Sequence, residues 1–194
     1  MDITKAFIKA KRPCADGFRW YVRNARENDS YQDLLDALVQ AGRVQDACWL
    51  LEQFGPTDTV LTVDALEADA VVFAGALNVR HGIDVAGVLH TGRGIQAGGG
   101  IRAGEALRAG GDVICAGALV CGGAVHAQGR VQAAWSMLVQ GTLQCEDLRT
   151  GGDLACADDA HIGGHGRIGQ RLQADGALRC ARSLRVGGDI ACAA

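Results

Sequence analysis

Residues 83–118, broken every six, read IDVAGV, LHTGRG, IQAGGG, IRAGEA, LRAGGD and VICAGA. From Leu119 the beat continues as LVCGGA, VHAQGR, VQAAWS, MLVQGT, LQCED, LRTGGD, LACADD, AHIGGH, GRIGQR, LQADGA, LRCARS, LRVGGD and IACAA. The first position is nearly always Leu, Ile or Val, and the third is small or aliphatic. The second is mostly polar and the fifth is usually Gly. A fixed internal period of this kind sets the architecture before any local propensity does.

Positions one and three share a strand face because side chains alternate with period two, so each hexad has one buried and one wet face. Glycine at the fifth position predicts a sharp corner that needs φ > 0 or a close backbone approach. The same position holds Arg93, Glu105, Trp135, Gln170 and Arg182, so it points outward. Three sides close a triangular coil of about 18 residues, and coils stack through backbone hydrogen bonds about 4.8 Å apart. The expected fold is therefore mainly β: a parallel triangular β-helix with a small α-helical unit before it. Charges repeat the same step, since Arg149, Arg167 and Arg185 fall one coil apart, as do Asp153, Arg171 and Asp189. The hexad at 143–147 is one residue short, which predicts a tightened corner.

Composition shifts near Pro56. Seven of the nine aromatics precede it, against three of the 28 glycines, which divides the chain into a helical part (1–56) and a solenoid (57–194). Pro13 predicts the opening of a helix to about Asn28, with Phe18, Trp20, Tyr21 and Ala25 available for burial. Ser30 with Asp33 three residues on reads as an N-cap, followed by a stripe of Leu34, Leu35, Leu38 and Val39 that stops at Gly42. A third helix is expected over Val44 to Phe54, closed by Gly55-Pro56. Lys5, Lys9, Lys11 and Arg12 read as a solvated end. Some fifty residues make a marginal core, so this unit is expected to dock on the first coil and cover its strand edge. Residues 57–82 carry irregular hexads, LTVDA, LEADAV, VFAGA and LNVRHG, as terminal coils do.

A net charge of −3 gives no reason to expect nucleic acid or an acidic substrate as partner. No run of eighteen apolar residues predicts membrane insertion, and the N-terminus lacks the apolar core of a secretion signal. Cys115, Cys121, Cys145, Cys156, Cys180 and Cys192 all stand at the third hexad position, where Ala, Val and Ile also occur. They read as small core residues in a reducing compartment, which points to a cytoplasmic protein without a disulfide framework. Asp158, Asp159, His161 and His165 do not form a metal set, because the two histidines stand at positions two and six of one hexad. No cofactor is expected.

Second-position residues form rows on the three flat sides. One row is Asp84, Arg102, Val120, Leu138, Ala155, Gln173 and Ala191, whose apolar middle, Val120 and Leu138, suggests a lateral contact. A second is His90, Arg108, His126, Gln144, His161 and Arg179. A third runs Gln96, Ile114, Gln132, Arg149, Arg167 and Arg185, and its last three are stacked guanidinium groups that suit an anion. The last hexad, IACAA, stops without a charged or helical cap. Its coil is expected to present unpaired backbone groups with Ile190 and Cys192, and Leu184 and Val186 beside them, as a self-association end.

The glycine-cornered hexads LRAGGD, VICAGA, LVCGGA and VHAQGR resemble those of bactofilins, polymer-forming bacterial cytoskeletal proteins. The resemblance covers roughly residues 60–194. It implies a right-handed triangular β-helix, nucleotide-free polymerisation through solenoid ends, and scaffolding of other proteins. The helical N-terminal part departs from that family's short tails, and if it caps one end, an end-to-end dimer is expected rather than a filament. Hexapeptide-repeat acyltransferases fit poorly. Their small inward residue would fall on the corner that here accepts Arg, Glu and Trp, and no loop interrupts 83–194 to shape an acyl pocket. His90 and His126 would be the only base candidates. A DNA mimic would need a long acidic face, whereas the solenoid's 14 acids are scattered among 11 arginines. A stoichiometric inhibitor or immunity-type adaptor remains the alternative, since a rigid solenoid offers flat binding surfaces. The expected function is that of a non-enzymatic scaffold whose partner is a second copy, or another protein.

Overall fold

The computed structural model describes residues 5–25 and 30–192. Among them are four helices and twenty-three strands in chain order. The strands, β1 to β23, stack into three parallel sheets of eight, eight and seven, each strand pairing with the strand three further along the chain. The first sheet runs from β1 (Val60–Val63) to β22 (Leu184–Val186), the second from β2 (Leu66–Ala68) to β23 (Ile190–Cys192), and the third from β3 (Val71–Phe73) to β21 (Leu178–Cys180). Most pairs keep a register of eighteen, such as Leu119 on Met137, while Leu143 faces Ala160 across the short hexad. This is the expected triangular solenoid.

Alternation builds the core. Leu107, Val113, Leu119, Val125, Val131 and Leu143 are buried at the first position, with Cys115, Cys121, Ala127, Ala133 and Cys145 at the third. The inward polar side chains are satisfied by corner carbonyls: Thr91 donates to Arg93 at 2.8 Å and Thr150 to Trp135 at 2.6 Å. Corner acids at the sixth position bind upward, one coil on. Asp112 Oδ1 accepts from the Arg130 amide, Asp153 from Arg171 and Asp159 from Ala177, each at 2.8 Å, so the charge ladder read from the sequence is partly a hydrogen-bond ladder.

The corners decide between the two reasons expected for their glycines. Among the described residues, only Gly42 and Gly55, both in the helical part, are glycines with positive φ. Solenoid glycines answer to close approach instead, and the tightest positions are fourth in the hexad, one residue before the expected one. A Cβ on Gly98, Gly104, Gly110 or Gly122 would lie within 2.1 Å of a carbonyl oxygen of the preceding coil.

The helical part holds α1 (Lys5–Ala10), α2 (Ala15–Asn24), α3 (Tyr31–Gln40) and α4 (Val44–Phe54). Around the first of these, Lys9 and Arg12 are exposed, as a solvated end requires, but the segment also carries an anchor. Ile8 is buried in the helical core, a signal the surrounding lysines hid. Helix α2 is capped by Cys14, whose sulfur accepts from the Gly17 amide, and it closes at Asn24 with Ala25 extended. The expected continuation over 26–28 lies outside the described residues. The Ser30–Asp33 capping box forms in both directions.

These helices pack beside the solenoid. Their core includes Val72, Ala74 and Val88. The irregular hexads LEADAV and VFAGA place Val72 inward. In the structure Val71 and Phe73 face the core, and Val72 turns outward onto α3 and α4. A one-residue slip exchanges the two faces of a strand. The strand edge is covered only in part: Gln32 of α3 takes the Ala74 amide at 2.9 Å and donates to the Val72 carbonyl at 3.0 Å, standing in for a neighbouring strand along β3. The edges of β1 and β2 have no such partner among the described residues, and Val60 and Leu61 are exposed.

Candidate interaction surfaces

At the C-terminal end, β21, β22 and β23 are the last described strands of the three sheets. Below them Leu172 and Ala174 are sealed. In the last coil Leu184 and Val186 are half-buried, Cys192 is exposed and Ile190 is 57% exposed. The residues proposed from sequence are thus brought together on one terminal surface.

On the second sheet Val120 pairs in register with Leu138, and both side chains are exposed, with Trp135 exposed at the corner leading into Leu138. On the first sheet Arg149, Arg167 and Arg185 pair in register and project into solvent as an open comb. Among the described residues no group of three His, Cys, Asp or Glu side chains converges on a point. His165 instead meets Ser183 at 2.7 Å.

The third-position cysteines are free thiols. Cys156 donates to the Gly141 carbonyl at 3.1 Å and Cys180 to Gly164 at 3.3 Å. Burial pushes the thiols of Cys115, Cys121 and Cys156 up, and that of Cys145 to about 12 with help from Asp147. In native protein at pH 8, iodoacetamide should modify exposed Cys14 and Cys192 first, with Cys115, Cys121, Cys145 and Cys156 on the order of 100-fold slower. Mass spectrometry of timed samples checks this, and rapid labelling of Cys145 would mean that the coil opens.

Two hollows were not foreseen. Trp20 and Trp49 line an apolar cavity of about 240 Å³ with Tyr21, Leu34, Leu38 and Leu50. A larger groove, about 570 Å³, lies between α4 and the outer face of the third sheet, along His90, Arg108 and His126. The row was legible in the sequence, but the wall that makes it a groove was not. No helix among the described residues is long and apolar enough to cross a membrane.

Fold and surfaces together define a three-sided parallel β-solenoid with a helical unit docked on one flank. The family described as the YdhT N-terminal domain matches residues 1–55. That match stops before the first strand at Val60, so the resemblance to bactofilins rests on the hexads alone. No curated protein matches the chain, and no solved structure does.

Proposed function

We propose that this chain is a non-enzymatic scaffold that self-associates through the C-terminal end of its solenoid, in the manner the bactofilin resemblance implies. The exposure of Ile190 carries the reading: the stacked position one coil below, Leu172, is sealed, and a second copy would seal Ile190 in the same way. The two ends are unequal. Gln32 already occupies the edge of β3, so a coil arriving there finds two strands of three, whereas among the described residues the outer edges of β21, β22 and β23 are all unpaired. Pairing of two C-terminal ends, giving a closed dimer, is therefore favoured over a filament. The non-enzymatic part is supported by the connections between 83 and 192, all of which are corners of two or three residues that leave no loop to shape an acyl pocket.

The rigid apolar strip of Val120, Leu138 and Trp135 supports the second reading, a protein-binding adaptor of the inhibitor or immunity type. Sedimentation velocity across a concentration range separates the two. Self-association predicts a concentration-dependent dimer that Ile190→Lys weakens at least ~10-fold, because the ammonium would be buried unpaired, with the circular dichroism unchanged. An unchanged mass for that variant would sink the end-pairing idea, and a monomer at every concentration would leave the adaptor.

A further inference from the structure

The outward row of the third sheet changes character along its length. Val72 is sealed beneath the helices, His90 is 8% exposed, and from Arg108 onward the row opens to solvent. Register places His90 beside Arg108, Arg108 beside His126, and His126 beside Gln144. Successive side chains therefore stand about 4.8 Å apart on a rigid floor. Over this transition α4 and the Gly55-Pro56 link raise one wall, through Leu51, Glu52 and Pro56, and the groove of about 570 Å³ lies between.

The polar groups of this groove are incompletely used. Arg108 gives one nitrogen, Nη1, to Glu52 Oε1 at 3.1 Å, and no other acceptor among the described residues takes its remaining donors. His126 is held through Nδ1 by Gln144 Oε1 at 3.1 Å, which leaves its other nitrogen without a protein partner among the described residues. His90 Nδ1 is buried with no hydrogen-bond partner at all among them. A buried polar atom left unpaired is destabilising. Burial, with Arg108 and His126 nearby, also holds its pKa down at about 4, so the ring is neutral at pH 7. Nothing of this kind accompanies the arginine comb on the first sheet, which is open and has no wall.

We propose that this groove binds a small ligand carrying an oxyanion, a carboxylate or a phosphate ester. Arg108 anchors it through the donors that Glu52 does not occupy, and His126 supplies the second contact from Nε2 in the ring form that carries a proton there. A guanidinium presents five donors in a fixed fork, so it can hold Glu52 on one edge and an oxyanion on another. The apolar wall of Leu51 and Pro56 accommodates the body of the ligand, as in pockets where a few polar groups fix orientation. Glu52 is the competitor for Arg108, and this gives the test its sign.

The test uses the full chain and follows the histidine ring carbons by NMR while inorganic phosphate, and separately acetate, is added at constant ionic strength. The expected result is a saturable shift of His90 and His126 with at least one of the two probes, while His81, His161 and His165 stay still. The probe that saturates identifies the class. Arg108→Gln should weaken the apparent affinity at least ~10-fold and Glu52→Gln should tighten it several-fold, while Arg149→Gln should leave it unchanged. Because Arg108→Gln also removes a contact to α4, the Glu52→Gln result decides the matter if that variant disturbs docking. Parallel, non-saturating movement of all five histidines would overturn the proposal. So would equal losses for Arg108→Gln and Arg149→Gln, or no shift with either probe.

Discussion

Replacing Gly104 with Val is expected to lower the stability of the solenoid by about 3 kcal/mol or more, a loss read directly from guanidinium unfolding curves. A Cβ at this corner would sit 1.9 Å from the Ala86 carbonyl oxygen, inside any tolerable contact. The chain cannot step away locally, because the Gly104 amide is bonded to the Val85 carbonyl at 2.9 Å, within the same coil-to-coil ladder. Ala86, Ala116 and Ala134 hold the same hexad position elsewhere, so a corner can be built round a methyl group. At Gly104 it is not, and a branched side chain forces the two coils apart. Gly42→Ala is the useful contrast. There φ is +72° and nothing lies within 4 Å, so the cost is backbone strain alone, about 1 kcal/mol. If Gly104→Val costs no more than Gly42→Ala, crowding between coils is not what selects glycine at these corners.

Val72→Asp should release the helical unit while leaving the solenoid folded. Val72 is buried on the outward side of β3 among side chains of α3 and α4, and a carboxylate there has no partner. Burying it unpaired costs about 3 kcal/mol, at the centre of the contact that α3 and α4 make with β3. Hydrogen exchange measured by mass spectrometry should show lost protection across 31–54 and at the Ala74 amide, which Gln32 accepts in the native protein, with protection from Leu107 to Leu172 retained. Uniform loss along the whole chain would mean that helices and coils fold as one unit. No loss at all would mean that the Gln32 bridge and the other side chains hold the helices without Val72.

Much of this molecule is legible from periodicity. The three sheets, the register of eighteen, the short corner at 143–147 and the rows led by Asp84, His90 and Gln96 all follow from one rule, that alternate residues face opposite sides and each hexad repeats the last. The capping box at Ser30 and the bounds of α4 follow from local chemistry of equal directness. Where the repeat is irregular, the rule loses its grip. Val71, Val72 and Phe73 are three apolar residues in a row, and alternation cannot say which of them faces in when both faces of the strand are covered. The packing of α3 and α4 decides it, by giving Val72 an apolar neighbour outside the coil.

The same is true of function. Sequence alone determined that this chain is a β-solenoid with a helical unit before it, and which side chains line each flank. Tertiary structure decided that the helices lie along the third sheet, that Gln32 closes the edge of β3, and that His90 is buried while its row-mates Arg108 and His126 are not. The physical reason is that a repeat specifies contacts between neighbours eighteen residues apart. The meeting of α4 with Arg108, fifty-six residues from Glu52, depends on surfaces that no period encodes.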